Sequence, residues 1–239
     1  MKDALTGKKT KYGVVSFPKC GRTWIRLFLA YYVRDTGIKT FVSFRHDNKV
    51  NYKKRILMIR NPCDVMVSLY FHYSVRRHIK TNISKFIRGW RGIPLFNSLY
   101  ETWSEREDNQ LVVRYEDMFS EKVWVDMLEF FDIPIHKEAF DNAIENTKFD
   151  NIRNSLDEIK KLPSSWRYLA AQRGNYNIVH PDNPEAHKFR RGKVDGYVDY
   201  LDDEDIGYIR DNFTLGKSLA NYTQRYMELI DEKRIAICS

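Results

Sequence analysis

Short apolar runs alternate along the chain with segments of helical periodicity. Residues 12–17, 39–44, 54–60 and 110–115 are rich in aliphatic and aromatic side chains, which predicts strands. Helices are predicted at 23–34, from residue 62 onward, and at 121–131, 136–146, 204–213 and 215–229. Strands that alternate with helices form βαβ units. The pattern therefore predicts an α/β fold of three layers, with a central, mainly parallel sheet flanked by helices. Residues 1–239 are expected to form a single domain.

The pattern weakens in two segments of the chain. Residues 74–109 combine helical stretches and aromatic side chains with several glycines and a proline, and residues 151–184 are polar. Residues 74–103 and 151–184 are candidates for the walls and lid of a substrate pocket. Ordinary core and surface packing explains the same composition equally well.

Residues 18–24, Pro-Lys-Cys-Gly-Arg-Thr-Trp, join the first predicted strand to the first predicted helix. A tight turn that opens a helix binds anions, because free N–H groups and the positive end of the helix point at the ligand. Lys19 offers a compact cation, Gly21 allows close approach of the backbone, and Thr23 offers a hydroxyl. Trp24 can stack on a base. An ordinary strand–helix turn with a core tryptophan is the alternative.

Two further segments carry cations that suit an anionic ligand. Arg60 ends a predicted strand, and Ser68 lies about two turns into the next helix, so the pair could clamp a phosphate. Residues 188–193 place four cationic side chains around Gly192. A basic loop of this kind can close over a polyanion. A surface arginine and a solvated run of charge are the alternatives.

Composition narrows the choice of function only moderately. Forty Lys and Arg against 32 Asp and Glu give a formal charge of +8, which suits an anionic ligand, nucleic acid or an acidic surface. The three cysteines and six histidines show no metal-ligand spacing, so no metal is expected. Residues 1–12 are polar, and the most apolar later stretch is too short to span a bilayer. These features predict a cytoplasmic protein without a membrane span.

Together, these segments resemble the sulfotransferases that use 3′-phosphoadenosine 5′-phosphosulfate (PAPS). Residues 18–24 are similar to their P-K-[SA]-G-[TS]-T-W loop, and residues 60–68 are similar to R-x-P-x-D-x-x-x-S. Residues 190–197 are similar to R-K-G-x-x-G-D-W, and residues 115–117 match Y-E-D. The order and spacing agree over roughly residues 12–200. The resemblance implies a fold like that of P-loop nucleotide kinases.

The resemblance also implies a role for individual residues. Those that would hold the 5′-phosphosulfate are Lys19, Cys20, Gly21, Arg22 and Thr23. Those that would hold the 3′-phosphate are Arg60, Ser68, Arg190, Arg191 and Gly192. Those that would surround adenine are Trp24, Tyr115, Thr147 and Phe149. His46 matches the general base, and Lys19 would stabilise the leaving phosphate.

The chain departs from the family pattern at several positions. Arg22 stands where Thr or Ser is usual, and Cys20 stands where Ser or Ala is usual. Phe44 occupies the place of a lysine that precedes the histidine in many members. Residues 195–197, Asp-Gly-Tyr, replace G-D-W.

The sequence therefore predicts transfer of a sulfuryl group from PAPS to a hydroxyl or amine, with adenosine 3′,5′-bisphosphate (PAP) as product and no metal. The acceptor, a small molecule, glycan or lipid, stays open, as does the oligomeric state. A nucleotide or small-molecule kinase is the nearest alternative, although the Walker sequence G-x-x-x-x-G-K-[ST] is absent. A nucleic-acid-binding protein, and a family member that binds the donor without turnover, are further alternatives.

Overall fold

A computed structural model describes residues 10–40, 42–46, 52–105, 109–154, 185, 192 and 194–238. Its sheet consists of β1 (Thr10–Ser16), β2 (Val42–Arg45), β3 (Tyr52–Ile59) and β4 (Gln110–Arg114). The strand order is β2-β1-β3-β4, and every pairing is parallel. The sequence prediction of strands, and of a parallel sheet flanked by helices, is confirmed.

The helices of the described residues include those with predicted bounds and also others. They are α1 (Arg22–Thr36), α2 (Pro62–Arg76), α3 (Ile83–Arg88), α4 (Ile93–Ser104), α5 (Glu121–Phe130), α6 (Lys137–Asn146), α7 (Phe149–Asn154), α8 (Asp203–Asn212) and α9 (Ala220–Cys238). Of these, α3 and α4 lie in the segment 74–109, where the pattern is weak, and α7 is not predicted from the sequence. Short 3-10 turns occupy Tyr115–Phe119, Gly196–Asp199 and Lys217–Leu219. No helix in these parts of the chain is both long and apolar enough to cross a bilayer.

The sequence predicts one helix over 215–229, but in the structure this helix is interrupted at Gly216. Gly216 has a φ of 84°, and a Cβ there would lie 2.1 Å from the Ser104 Oγ. The Ser218 hydroxyl donates a hydrogen bond to the Ser104 carbonyl at 2.5 Å. The chain therefore presses against the end of α4 before α9 starts at Ala220.

The sheet has a switch point between its two central strands. From the β1–β3 pair, the connection through α1 leads outward to β2, whereas the connection through α2 leads the other way, to β4. Because such crossovers are right-handed, α1 and α2 cover opposite faces of the sheet. Phe28 of α1 packs on Trp124 of α5 and Phe140 of α6, while α2 packs with α3 and α8. Ligands in sheets of this kind bind beyond the strand ends at the switch point.

Two isoleucines provide a matched test of the core. Ile56 in β3 is 0% exposed, whereas Ile235 in α9 is 71% exposed. Ile56→Ala is expected to lower the free energy of unfolding by about 2–5 kcal/mol, because it removes buried methyl groups and leaves a cavity. Ile235→Ala is expected to change it by less than about 0.5 kcal/mol. Urea unfolding followed by circular dichroism measures both changes, and similar losses in the two variants would contradict this placement of the core.

Candidate active site

The guanidinium of Arg60 joins three loops at the switch point. Arg60 follows β3, and its Nη1 donates a hydrogen bond to the Lys19 carbonyl at 3.0 Å. The guanidinium carbon also lies 3.9 Å from the centroid of the Tyr115 ring, which follows β4. Such a cation over an aromatic face is stabilised by the ring quadrupole. The loops after β1, β3 and β4 are thus held in one cluster.

The loop after β1 has an unusual backbone. Lys19 and Gly21 have φ values of 77° and 90°, which lie in the left-handed region. Gly21 is the N-cap of α1, and no side chain caps the helix there. A Cβ at Gly21 would lie 2.6 Å from Tyr115 Cδ2, so only glycine fits against this ring. The start of α1 therefore presents its N–H groups at the switch point, as an anion site requires.

Cys20 lies on the inner side of this loop. Its thiol is fully buried, 3.4 Å from the Tyr100 hydroxyl. Burial raises the pKa of the Cys20 thiol to about 12, so it stays protonated and unreactive. The side chain supports the loop from within, which leaves the Cys20 backbone as the part that a ligand could reach.

A buried carboxylate, Asp64, connects Arg60 with the third basic segment. Its Oδ2 lies 3.6 Å from the Arg60 guanidinium. The backbone N–H groups of Asp195 and Tyr197 donate to its two oxygens at 3.0 and 3.1 Å. Burial raises the pKa of Asp64, and the nearby Arg60 cation opposes that rise. Asp64 therefore fixes the end of the basic segment beside Arg60.

A second, largely buried carboxylate, Glu116, fixes the turn that carries Arg60. It accepts hydrogen bonds from the Asn61 N–H at 2.8 Å and the Tyr226 hydroxyl at 2.7 Å. The Asn61 side chain in turn accepts from the N–H of Cys63 at 3.0 Å, so it caps α2. Sequence analysis matched Glu116 to a motif but gave it no role. An acid directly after the predicted strand 110–115, two residues past the end of β4, is the signal that the sequence offers.

An aromatic cavity of about 390 Å³ opens beside these loops. Its lining includes the residues that the sequence predicts around a base, namely Trp24, Tyr115, Thr147 and Phe149, and also Gly192. A Cβ at Gly192 would lie 2.3 Å from Phe149 Cδ2, so the chain at Gly192 packs directly on this ring. Residues remote in the sequence thus form one wall.

Other residues of the same cavity are not predicted from the sequence. Met118, Phe119, Trp124 and Ile144 also line it. Phe119 and Trp124 contact the Trp24 ring edge-on, with centroids 5.2 and 5.5 Å away. The aromatic character of the segment after β4 was visible in the sequence, but its position over Trp24 depends on the 3-10 turn at Tyr115–Phe119.

His46 lies directly after β2 and is exposed. Its Nδ1 is 2.7 Å from the Ser16 carbonyl oxygen. A carbonyl can only accept, so Nδ1 carries the proton. Its Nε2 forms a hydrogen bond with Nη2 of Arg22. The imidazole is therefore neutral, with its lone pair on Nε2.

The remaining predicted residues divide into two groups. Thr23 is in the first turn of α1, and Ser68 lies in α2, where it is nearly buried. Arg190 and Arg191 lie outside the described residues. Among the described residues, no group of three or more His, Cys, Asp or Glu side chains could hold a metal ion.

Two comparisons bear on this arrangement. A model of the sulfotransferase domain family matches residues 44–223. The match contains His46, Arg60 and the residues after β4, whereas residues 18–24 precede it. Among solved structures, the chain is similar to mouse sulfotransferase SULT7A1, crystallised in complex with PAP. The two share 17% identity and a TM-score of 0.61, over 96% of this chain and 90% of that chain. No curated protein sequence matches.

The structural similarity supports the fold, and the family match spans well over half of the chain. The chain belongs to the sulfotransferase domain family.

Proposed function

We propose that this chain transfers a sulfuryl group from PAPS to a hydroxyl or amine of an acceptor and releases PAP. The observation that supports this most strongly is the position of Arg60. It lies between the anion loop at Lys19 and the wall of the aromatic cavity at Tyr115. PAPS carries a 5′-phosphosulfate, a 3′-phosphate and an adenine. These three groups would bind the Lys19 loop, Arg60 and the aromatic cavity, respectively.

The site suits the chemistry of such a nucleotide. A cavity of about 390 Å³ lies within the usual range for small ligands, roughly 300–1,000 Å³. Its aromatic lining offers stacking surfaces for a purine. The family relative SULT7A1 was crystallised with PAP, which is the product expected here.

In the proposed reaction, Lys19 stabilises the charge on the departing phosphate and His46 takes the proton of the acceptor. The acceptor oxygen or nitrogen attacks sulfur, forms a new bond to it, and displaces the phosphate oxygen that held the sulfuryl group. The acceptor proton passes to Nε2 of His46, whose Nδ1–H is held by Ser16. Lys19 and the N–H groups at the start of α1 stabilise the negative charge that develops on the departing phosphate. Arg60, Ser68, Arg190 and Arg191 would hold the 3′-phosphate.

The acceptor is proposed to be a small molecule, glycan or lipid, and the protein is proposed to work in the cytoplasm as one domain.

A panel of acceptors incubated with PAPS tests the activity directly. Mass spectrometry should detect one PAP for each sulfated acceptor. Tight binding of ATP with Mg²⁺ but not of PAP would instead favour a kinase. A steep salt dependence of nucleic-acid affinity would favour a nucleic-acid-binding protein.

Lys19→Ala and Arg60→Ala are each expected to weaken PAP binding. A hydrogen bond to a charged group contributes about 1.5–3 kcal/mol, so the Kd should rise roughly 10- to 100-fold. Isothermal titration calorimetry measures the change. Lys137→Ala and Arg225→Ala are the matched controls, because both side chains are paired on exposed helix surfaces. Unchanged affinity in both site variants would exclude the proposed phosphate sites.

Gly21→Ala is expected to abolish measurable PAP binding. The added Cβ would collide with the Tyr115 ring and would also occupy a left-handed backbone conformation. Gly37→Ala at the other end of α1 is the control, because Gly37 has a φ of 67° with no atom within 4 Å of its Cβ position. Calorimetry of both variants, after thermal unfolding has verified their folds, separates the collision from backbone strain. Equal losses of affinity would contradict a binding role for this turn.

His46→Ala is expected to lower turnover by roughly 10²–10⁴-fold, the usual contribution of a general base. PAP affinity should persist, because His46 acts on the acceptor and not on the nucleotide. The exposed His136 provides the control variant His136→Ala, which should retain wild-type turnover. Near wild-type turnover in His46→Ala would remove His46 from the mechanism.

A further inference from the structure

We propose that Arg22 masks the base nitrogen of His46 until a donor nucleotide occupies the anion loop. The inference rests on the proposed function and concerns the one loop position where an arginine replaces the Thr or Ser usual in the family. Arg22 is the first residue of α1, and its guanidinium contacts His46, which lies 24 positions away in the sequence.

The direction of the Arg22–His46 hydrogen bond follows from the chemistry of the two groups. A guanidinium has only donors and stays protonated, so Nη2 of Arg22 donates and Nε2 of His46 accepts. The Ser16 carbonyl independently fixes the proton on Nδ1, 2.7 Å away. Both contacts therefore favour the same tautomer of the neutral imidazole, with the proton on Nδ1.

This arrangement engages the lone pair that the proposed reaction needs. While Arg22 donates its hydrogen bond to Nε2 of His46, this nitrogen cannot take a proton from the substrate that receives the sulfuryl group. For the proton to move, the guanidinium must leave Nε2. The tautomer that remains, with Nδ1–H held by Ser16, is the one that a general base requires.

An anion on the loop provides the competing partner for Arg22. The residue directly follows Gly21, so its side chain starts where the helix end attracts negative charge. Arginine binds phosphate and sulfonate oxygens through charge-assisted hydrogen bonds, which are about twice as strong as neutral ones. The neutral Nε2 is the weaker acceptor. Occupation of the loop therefore draws Arg22 away and exposes the base at the moment when the donor is present.

A shorter residue would not couple the two sites. Thr or Ser at position 22 could bind the donor through its hydroxyl but could not extend to His46 from the start of α1. The arginine thus adds a link between the donor site and the base. Arg22 is in this sense a positioning residue, and its effect should be visible at His46 without any turnover.

Chemical modification of His46 tests the masking directly. Diethyl pyrocarbonate acylates imidazole nitrogens that have an available lone pair, and peptide mass spectrometry gives the rate for each histidine. Without ligand, His46 in Arg22→Thr is expected to react about tenfold faster than in the wild type, which corresponds to about 1.4 kcal/mol. The exposed His136 of the same sample provides the internal reference, and its rate should not change.

PAP provides the second arm of the test, because it carries the 5′-phosphate but no sulfuryl group. Saturating PAP should accelerate modification of His46 in the wild type and should not accelerate it in Arg22→Thr. Equal rates in the two ligand-free proteins would overturn the proposal, as would slower modification of the wild type with PAP. The wild type with and without PAP tests the masking even if Arg22→Thr fails to fold. If calorimetry shows that PAP does not bind, the proposed function fails, while the ligand-free comparison still tests the masking contact.

Discussion

The site depends on one buried cation, the guanidinium of Arg60. Its side chain is only 11% exposed, and it contacts the Lys19 carbonyl after β1, the Asp64 carboxylate in α2 and the Tyr115 ring after β4. Removing a charge from water is costly unless the surrounding groups compensate for it. The loops after β1, β3 and β4 therefore meet at Arg60, next to the start of α1 and to the Tyr115 wall of the aromatic cavity.

Two acids, Glu116 and Asp64, connect the surroundings of Arg60 to other parts of the fold. Glu116 binds the N–H of Asn61 and the hydroxyl of Tyr226, so it joins the turn before α2 to the C-terminal helix α9. Asp64 binds two N–H groups at residues 195–197, so it brings the end of the basic segment to Arg60. Burial raises the pKa of both carboxyls, and the donors and cation around them oppose this rise. The hydrogen bonds of Glu116 and Asp64 thus connect segments that lie more than a hundred residues apart in the sequence.

The sequence predicts the strands because each contains or adjoins a short apolar run, and it predicts the longer helices because many have a periodic apolar face. It also predicts the anion loop, since Gly21 and Thr23 stand between a strand and a helix. It does not predict the break at Gly216, because that break depends on close contact with Ser104. Nor does it reveal Phe119 and Trp124 as neighbours of Trp24, because Phe119 ends a 3-10 turn, Trp124 lies in α5, and both reach Trp24 through contacts between distant segments. Local patterns specify elements, whereas contacts between distant segments complete the cavity.

Arg22 shows how a departure from a family pattern can carry information. A sequence comparison treats arginine in place of a hydroxyl residue as a weakness of the match, because the expected donor to the ligand is missing. The structure places that arginine against Nε2 of His46, the residue that the family resemblance matches to the general base. An arginine has enough donors to bind an anion and enough length to contact the base, so a single substitution can link two functions that a hydroxyl side chain keeps separate. Under the proposed masking, this substitution adds control to the site and keeps a cation that can bind an anion.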